Sequence, residues 1–351
     1  MESGFSIVIC TYNGESRLKT TFEHVAVLQI PLGLAVELIL VNNASTDSTG
    51  MVARRIWNEL GNPFPLVLLD ESRPGKGYAV ETGYDAARYE YILTADDDNW
   101  LRADYLNNAL KLFEQDGSIG VLQGHSTAAF ESVPPPWFHA LQHYFVIGGP
   151  TNAIGHFPKN NFFVWGAGMV IQKADWLYLR GIGYSALTSK LPGKAAGEDN
   201  ELAIALLILG RKIYYSDTLS YQHFMPINRL EWPKLKQNFE TFGYVSHYFF
   251  LYGLVLDAHK NDYVLTDFII KKRFLRYWLR IMKELTFKQH VAYWVLPKEE
   301  YYQLMLTHYH SHFKWFFQLR KNALVDIRFI QNWLLPIYKE NPENFSWPVK
   351  I

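Results

Sequence analysis

The chain has 351 residues, with 34 basic and 34 acidic side chains and a formal net charge of zero. That balance excludes the basic excess of a typical nucleic-acid binder, and the single cysteine, Cys10, excludes an internal disulfide and a cysteine-based zinc site. A 49% hydrophobic and 16% aromatic composition is ample for a sizeable core.

The N-terminal half alternates β-branched runs with helical patterns. Phe5–Cys10 reads as a buried strand, followed by the loop TYNGES and a helix running through Leu28. Val36–Val41 reads as a second strand. NNASTDST then supplies turn and N-cap chemistry for a helix through Leu60. Pro65–Leu69 is a third strand, a helix spans about Gly77–Arg88, and Tyr91–Thr94 is a fourth strand. This alternation predicts an α/β fold with a mainly parallel, doubly wound sheet. In such sheets ligands sit outside the carboxyl ends of the strands, and TYNG, NNASTD and DDDN all fall at that edge.

Between residues 120 and 235 the pattern is mixed. FFVWGAGMVIQ reads as a strand with a glycine break, GEDNELAIALLILG as a helix ending at Gly210, and Ile213–Tyr215 as a short strand. Beyond Pro233 the chain turns aromatic, basic and helical. The expected division is therefore 1–235 for a catalytic domain and 236–351 for a helical region.

Asp96 and Asp98 are two residues apart. Extended backbone would send both carboxylates to one side and Asp97 to the other. Two such charges about 4 Å apart repel by roughly 4 kcal/mol at an effective dielectric near 20, which a hard divalent cation relieves. An isolated DxD reads equally as an acidic turn. Glu198 and Asp199 open an apolar helix, where a carboxylate serves either as a cap or as a proton acceptor. His223, in YQHFMP, gains meaning if it reaches the Asp96/Asp98 cation. Tyr12, Asn42, Asn43 and Asp47 offer an aromatic face, amides and a carboxylate to a planar base. Lys76, in RPGKG, offers a cation to a diphosphate.

In combination these motifs resemble the family 2 glycosyltransferases, of GT-A fold, over about residues 4–232. SIVICTYNGE resembles the family's opening strand and loop, which places Thr11, Tyr12 and Asn13 on the nucleotide-sugar. LILVNNASTDST resembles its second strand. DDDNWL resembles its DSDDWL, placing the metal on Asp96 and Asp98 and leaving Asp97 as a separate donor contact. WGAGMVIQKADW resembles the glycine-rich segment on the acceptor side, here Trp165, Gly166, Ala167 and Gly168. GEDNEL resembles the segment whose Asp is the catalytic base, which falls on Asp199 with Glu198 beside the donor. YQHFMP carries the histidine that completes the metal site, His223.

The resemblance implies inverting transfer of one sugar from a nucleotide-sugar, a UDP-sugar favoured, with Mn²⁺ or Mg²⁺, to a saccharide or lipid-linked saccharide. Asn42 departs from the family's usual Asp, and Asn99 from a common acidic residue. The QxxRW signature of processive synthases is absent, which favours single-sugar transfer, and Arg229 in INRLEW is a further candidate for a phosphate contact. The alternatives are a sugar-phosphate nucleotidyltransferase and a non-catalytic carbohydrate-binding protein on the same fold.

In the C-terminal region, Lys272, Arg276 and Arg280 form a basic stripe at i, i+4 spacing. Phe274, Trp278, Ile281 and Leu285 form an apolar one. A helix of this kind packs on a core or lies on an anionic membrane through residues 271–285. The aromatics Trp294, Tyr301, Tyr302, Trp315, Phe316 and Phe317 fit a core or a sugar-stacking surface. No leader and no spanning segment is expected, and the expected location is cytoplasmic, with peripheral contact at the membrane's inner face.

Overall fold

The computed structural model describes residues 2–151, 153–158, 160–191, 193, 196–284 and 300–348. It divides into two compact units, Met1–Leu230 with Asn341–Phe345, and Glu231–Glu340 with Ser346–Ile351. The division falls a few residues before the expected boundary, and the first unit includes a short C-terminal segment: Phe345 is buried, its ring 6.2 Å from Phe162.

The first unit contains, in order, β1 (Glu2–Thr11), α1 (Leu18–Ala26), β2 (Ala35–Asn43), α2 (Thr49–Glu59), β3 (Leu66–Glu71), α3 (Lys76–Ala86) and β4 (Tyr89–Asp96). Then follow β5 (Asn99–Leu101), α4 (Tyr105–Gln115), β6 (Ile119–Phe130), α5 (Phe138–Leu141), β7 (Gly155–His156) and β8 (Met169–Gln172). It closes with α6 (Lys173–Gly181), α7 (Glu198–Ile208) and β9 (Lys212–Met225). The sheet order is β3-β2-β1-β4-β8-β6-β9-β5, with β7 added to β9.

β1 pairs in parallel with β2 and β4, and β2 with β3. Their inward faces carry Phe5, Ile7, Ile9, Leu38, Leu40 and Leu93, all buried, as expected for strands covered on both sides. The register sets Thr11 against Asn42, Asn42 against Asp70 and Cys10 against Asp96. Three strand ends therefore bring their polar loops to one edge, as the sequence predicts.

Three elements differ from expectation. The segment FFVWGAG is not a strand; only Met169–Gln172 is. Trp165 is held instead by the buried Gln123, whose side chain accepts from Trp165 N–H (2.8 Å) and donates to Trp165 O (2.9 Å). At Gly168 (φ +67°) an added Cβ would lie 2.7 Å from Tyr105 Oη, so the turn into β8 requires glycine. The long β6 has no counterpart in the expected elements. The expected short strand Ile213–Tyr215 is only the start of β9, which runs on through the histidine segment to Met225.

The second unit contains α8 (Trp232–Lys260), α9 (Asp267–Glu284), α10 (Glu300–Leu319) and α11 (Ala323–Glu340). α8 and α10 cross closely at Gly243, where an added Cβ would lie 2.5 Å from His308 O. The apolar stripe read for α9 is core: Phe274 and Ile281 are buried, and Phe274 stacks on Phe316 at 3.6 Å. Leu285 and Trp294 lie outside the described residues. No helix among the described residues is long and apolar enough to cross a membrane.

Candidate active site

The edge formed by β1, β2 and β4 carries the first half of the site. Asp96, Asp97 and Asp98 leave the end of β4, and each has a different partner. Asp96 Oδ1 accepts from Lys76 Nζ at 2.7 Å. Asp98 Oδ2 accepts from Arg229 Nη1 at 2.7 Å, and its Oδ1 lies 3.4 Å from His223 Nε2. Burial works against the Asp98 charge, but His223 and Arg229 more than reverse this and hold its carboxyl well below the usual range.

Asp97, expected as a donor contact, is engaged by the protein itself. It is buried, its Oδ2 accepts from Thr11 Oγ1 (2.6 Å) and Arg17 Nη2 (2.7 Å), and its Oδ1 accepts from Arg17 Nε (3.1 Å). Arg17 also donates to the carbonyls of Tyr12 and Asn13. The pair therefore clamps the TYNG loop to the DDDN loop, and the Thr11 hydroxyl joins the clamp. Sequence reading missed Arg17; a cation six residues after Thr11 carries no signal without knowledge of the loop's path.

Asn43 is likewise engaged within the protein. Its Nδ2 donates to the carbonyls of Glu71 and Arg73, and its Oδ1 accepts from Gly75 N–H, which ties down the RPGKG loop. Asp47 accepts from the backbone of Glu15 and Thr49, and Asn13 Oδ1 from Thr46 N–H. The two remaining base-side candidates are Tyr12 and Asn42. Tyr12 is 58% exposed. Asn42 donates Nδ2 to Asp70 Oδ1 (2.8 Å), while its own Oδ1 is buried without a hydrogen-bond partner.

The second half of the site is the N-terminus of α7, where three carboxylates have three tasks. Glu201 accepts from the backbone N–H groups of Leu187 and Thr188 and fixes the preceding loop. Glu198 pairs with the Ser189 hydroxyl and lies 3.6 Å from Lys76 Nζ. Asp199 Oδ2 accepts from Gly166 N–H at 2.8 Å, and its Oδ1 from Asn200 N–H and Nδ2. Asn200 in turn exchanges hydrogen bonds with the backbone of Val164. The glycine-rich segment and the GED helix are thereby locked together around one carboxylate. Lys76 joins the two halves, since it touches both Asp96 and Glu198.

Burial and then the Glu198 charge push the Asp199 carboxyl up to about 7, against the opposing pull of Lys76 and the Asn200 hydrogen bonds. A carboxylate tuned to neutrality and held by fixed donors suits proton abstraction.

The expected metal trio is only partly assembled. Among the described residues, no three His, Cys, Asp or Glu side chains converge as a metal-ligand set; Asp96 is paired with Lys76 and Asp98 with Arg229. His223 and Asp98 do meet, and strand pairing is the reason: Asn99 of β5 faces His223 of β9, and Phe224 N–H donates to Asp98 O. Neither ring nitrogen of the buried His223 makes a well-aligned hydrogen bond, and Nε2 faces Asp98 Oδ1 as an ion-pair contact. An imidazole and a carboxylate so placed offer two ligands to a divalent cation.

A family model described as "Glycosyl transferase family 2" matches residues 6–181. EpsH of Bacillus subtilis (strain 168) is 28% identical over 106 residues, 30% of this chain and 29% of that protein. A poly-beta-1,6-N-acetyl-D-glucosamine synthase of Staphylococcus aureus (strain COL) is 27% identical over 122 residues, 35% of this chain and 28% of that protein. The matches thus span less than a third of these relatives. The crystal structure of S. aureus TarS superposes with a TM-score of 0.50 at 13% identity, over 96% of this chain and 55% of that one. That likeness concerns the fold, a mostly parallel GT-A-like sheet flanked by helices with a helical C-terminal region.

Proposed function

Since the chain belongs to glycosyl transferase family 2, we propose that it moves one sugar, with inversion, from a nucleotide-sugar to a saccharide hydroxyl. The observation that carries this reading is Asp199, fixed by Gly166 and Asn200 and raised to about 7, with Lys76 linking its neighbour Glu198 to Asp96.

The acceptor hydroxyl gives its proton to Asp199 as its oxygen attacks the anomeric carbon. The bond from that carbon to the diphosphate breaks, and its electron pair leaves with the nucleotide. The Gly166 N–H and the Asn200 amide hold the carboxylate in one orientation, so the base is already aligned when the acceptor arrives. Trp165, Gly166, Ala167 and Gly168 form the acceptor side, since Gly166 touches the base directly.

On the donor side, Tyr12 offers a face for the base. A UDP-sugar is the donor favoured. Asp98 and His223 are the residues that would hold Mn²⁺ or Mg²⁺, which when bound neutralises charge on the departing diphosphate. Lys76 and Arg229 supply positive charge from the chain itself.

The test is a panel of UDP-, GDP- and dTDP-sugars screened by thermal shift with and without Mn²⁺, followed by transfer assays on saccharide acceptors. A bound donor at a hundredfold excess over its Kd stabilises the fold by about 2.7 kcal/mol. Absence of any stabilising donor and of any transfer would overturn the reading.

A further inference from the structure

α9 carries two apolar faces, and only one of them is core. Phe274 and Ile281 are buried. On the opposite side Phe268, Leu275 and Leu279 are 72%, 50% and 52% exposed. Their spacing of i, i+7 and i+11 places all three on one line along the helix. Lys271 borders that line on one side, and Lys272, Arg276 and Lys283 border it on the other, all exposed. At 3.6 residues per turn the seven side chains fall within an arc of roughly 140°. The Lys272 ammonium sits 5.9 Å from the Phe268 ring, on the rim of the apolar line.

Asp267 is the sole acidic residue from Val264 to Lys283, and it pairs with Lys271. Val264, just ahead of the helix, is 78% exposed. An outward apolar line costs free energy in water unless something covers it. The cationic border of Lys272, Arg276 and Lys283 selects what that is: an apolar interior beneath a negative surface, which is the cross-section of an anionic lipid leaflet.

We infer that the outward face of α9 docks on an anionic membrane surface, with Phe268, Leu275 and Leu279 entering the acyl boundary and Lys271, Lys272, Arg276 and Lys283 meeting the headgroups. This attachment is independent of the chemistry proposed for the first unit, and its test reads lipid binding rather than transfer.

The experiment is co-sedimentation of the full chain with phosphatidylcholine vesicles, with and without 30% phosphatidylserine, at low and high salt. Binding is expected to the anionic vesicles only and to weaken with salt. The triple variant Lys272→Glu/Arg276→Glu/Lys283→Glu is expected to bind on the order of 100-fold more weakly. The double variant Leu275→Ser/Leu279→Ser is expected to bind at least about tenfold more weakly while keeping its far-UV spectrum. Both are expected to retain wild-type donor binding. No binding to either vesicle, equal binding to both, or unaltered binding by the double variant overturns the inference.

Discussion

The backbone N–H of Gly166 donates to Asp199 Oδ2 at 2.8 Å. One peptide of the glycine-rich segment therefore fixes the carboxylate at the start of α7, and residues 33 apart act as one device. Because the donor is a backbone group, no substitution at Gly166 other than proline removes it. The geometry is tested through Asp199 and its neighbours.

Stability should report the buried charge of Asp199. Its carboxyl in the folded chain, at about 7, lies above the ordinary carboxylate value. The folded state therefore holds the proton more tightly than the unfolded chain, and the associated stability is full below about pH 4 and lost as pH rises through 7. The stability of the wild type relative to Asp199→Asn is expected to fall as pH rises from 4 to 8. Thermal melts across that range check this, and a difference that does not change with pH would contradict it.

Glu198→Gln removes the like charge that helps raise Asp199. The acid limb of the pH–rate profile for kcat/KM is expected to move down from about 7, with residual turnover. An unmoved acid limb would detach that limb from Asp199.

Metal affinity should depend on His223. His223→Ala is expected to weaken Mn²⁺ binding by at least roughly 10-fold, the lower bound for loss of even an outer-shell partner, read by titration calorimetry without nucleotide. Unchanged Mn²⁺ affinity would remove His223 as a ligand.

The Arg17–Asp97 pair is expected to matter for folding rather than for donor recognition. Arg17→Ala leaves a buried carboxylate unpaired and should cost about 2–3 kcal/mol, somewhat below the usual figure for a buried pair because Arg17 is a third exposed. Chemical denaturation measures this loss. A fully stable variant with a large rise in donor KM would return Asp97 to the donor site.

The helical unit should be acid-labile. His247 and His312 are buried against Phe250, Phe274 and Phe316, and neither has a hydrogen-bond partner on Nε2. Burial pushes His247 down to about 4 and His312 further, the latter also under the influence of His247 and His308. A histidine lowered in the folded state contributes full stability above about pH 6.5 and loses it as pH falls toward 4. Far-UV circular dichroism is expected to lose helix over that window, and His247→Phe to shift the loss to lower pH.

The legible parts of the sequence were those with local signals. The four opening strands follow from β-branched runs, and their polar ends from turn chemistry, so the edge carrying Tyr12, Asn42 and Asp96 could be placed without coordinates. Asp97, Thr11 and Asn43 resemble ligand contacts in sequence because a buried clamp and a binding site use the same residue types. What separates them is whether a partner such as Arg17 or Gly75 has already taken their hydrogen bonds, and that is a long-range fact. The same holds for His223, brought to Asp98 by the pairing of β5 with β9. In α9, both faces carry apolar residues at helical spacing, so periodicity alone could not say which one is buried.

The central claim is that Asp199 is the base, and Asp199→Asn separates base from scaffold most directly. Asparagine keeps the volume and the Oδ1 acceptor for Asn200, cannot take a proton, and loses only the Gly166 N–H bond to Oδ2. Donor affinity measured by calorimetry is expected to stay within about threefold of wild type, while single-turnover transfer falls at least 10³-fold, in line with loss of a general base. Wild-type transfer by Asp199→Asn, with donor binding intact, would contradict the account.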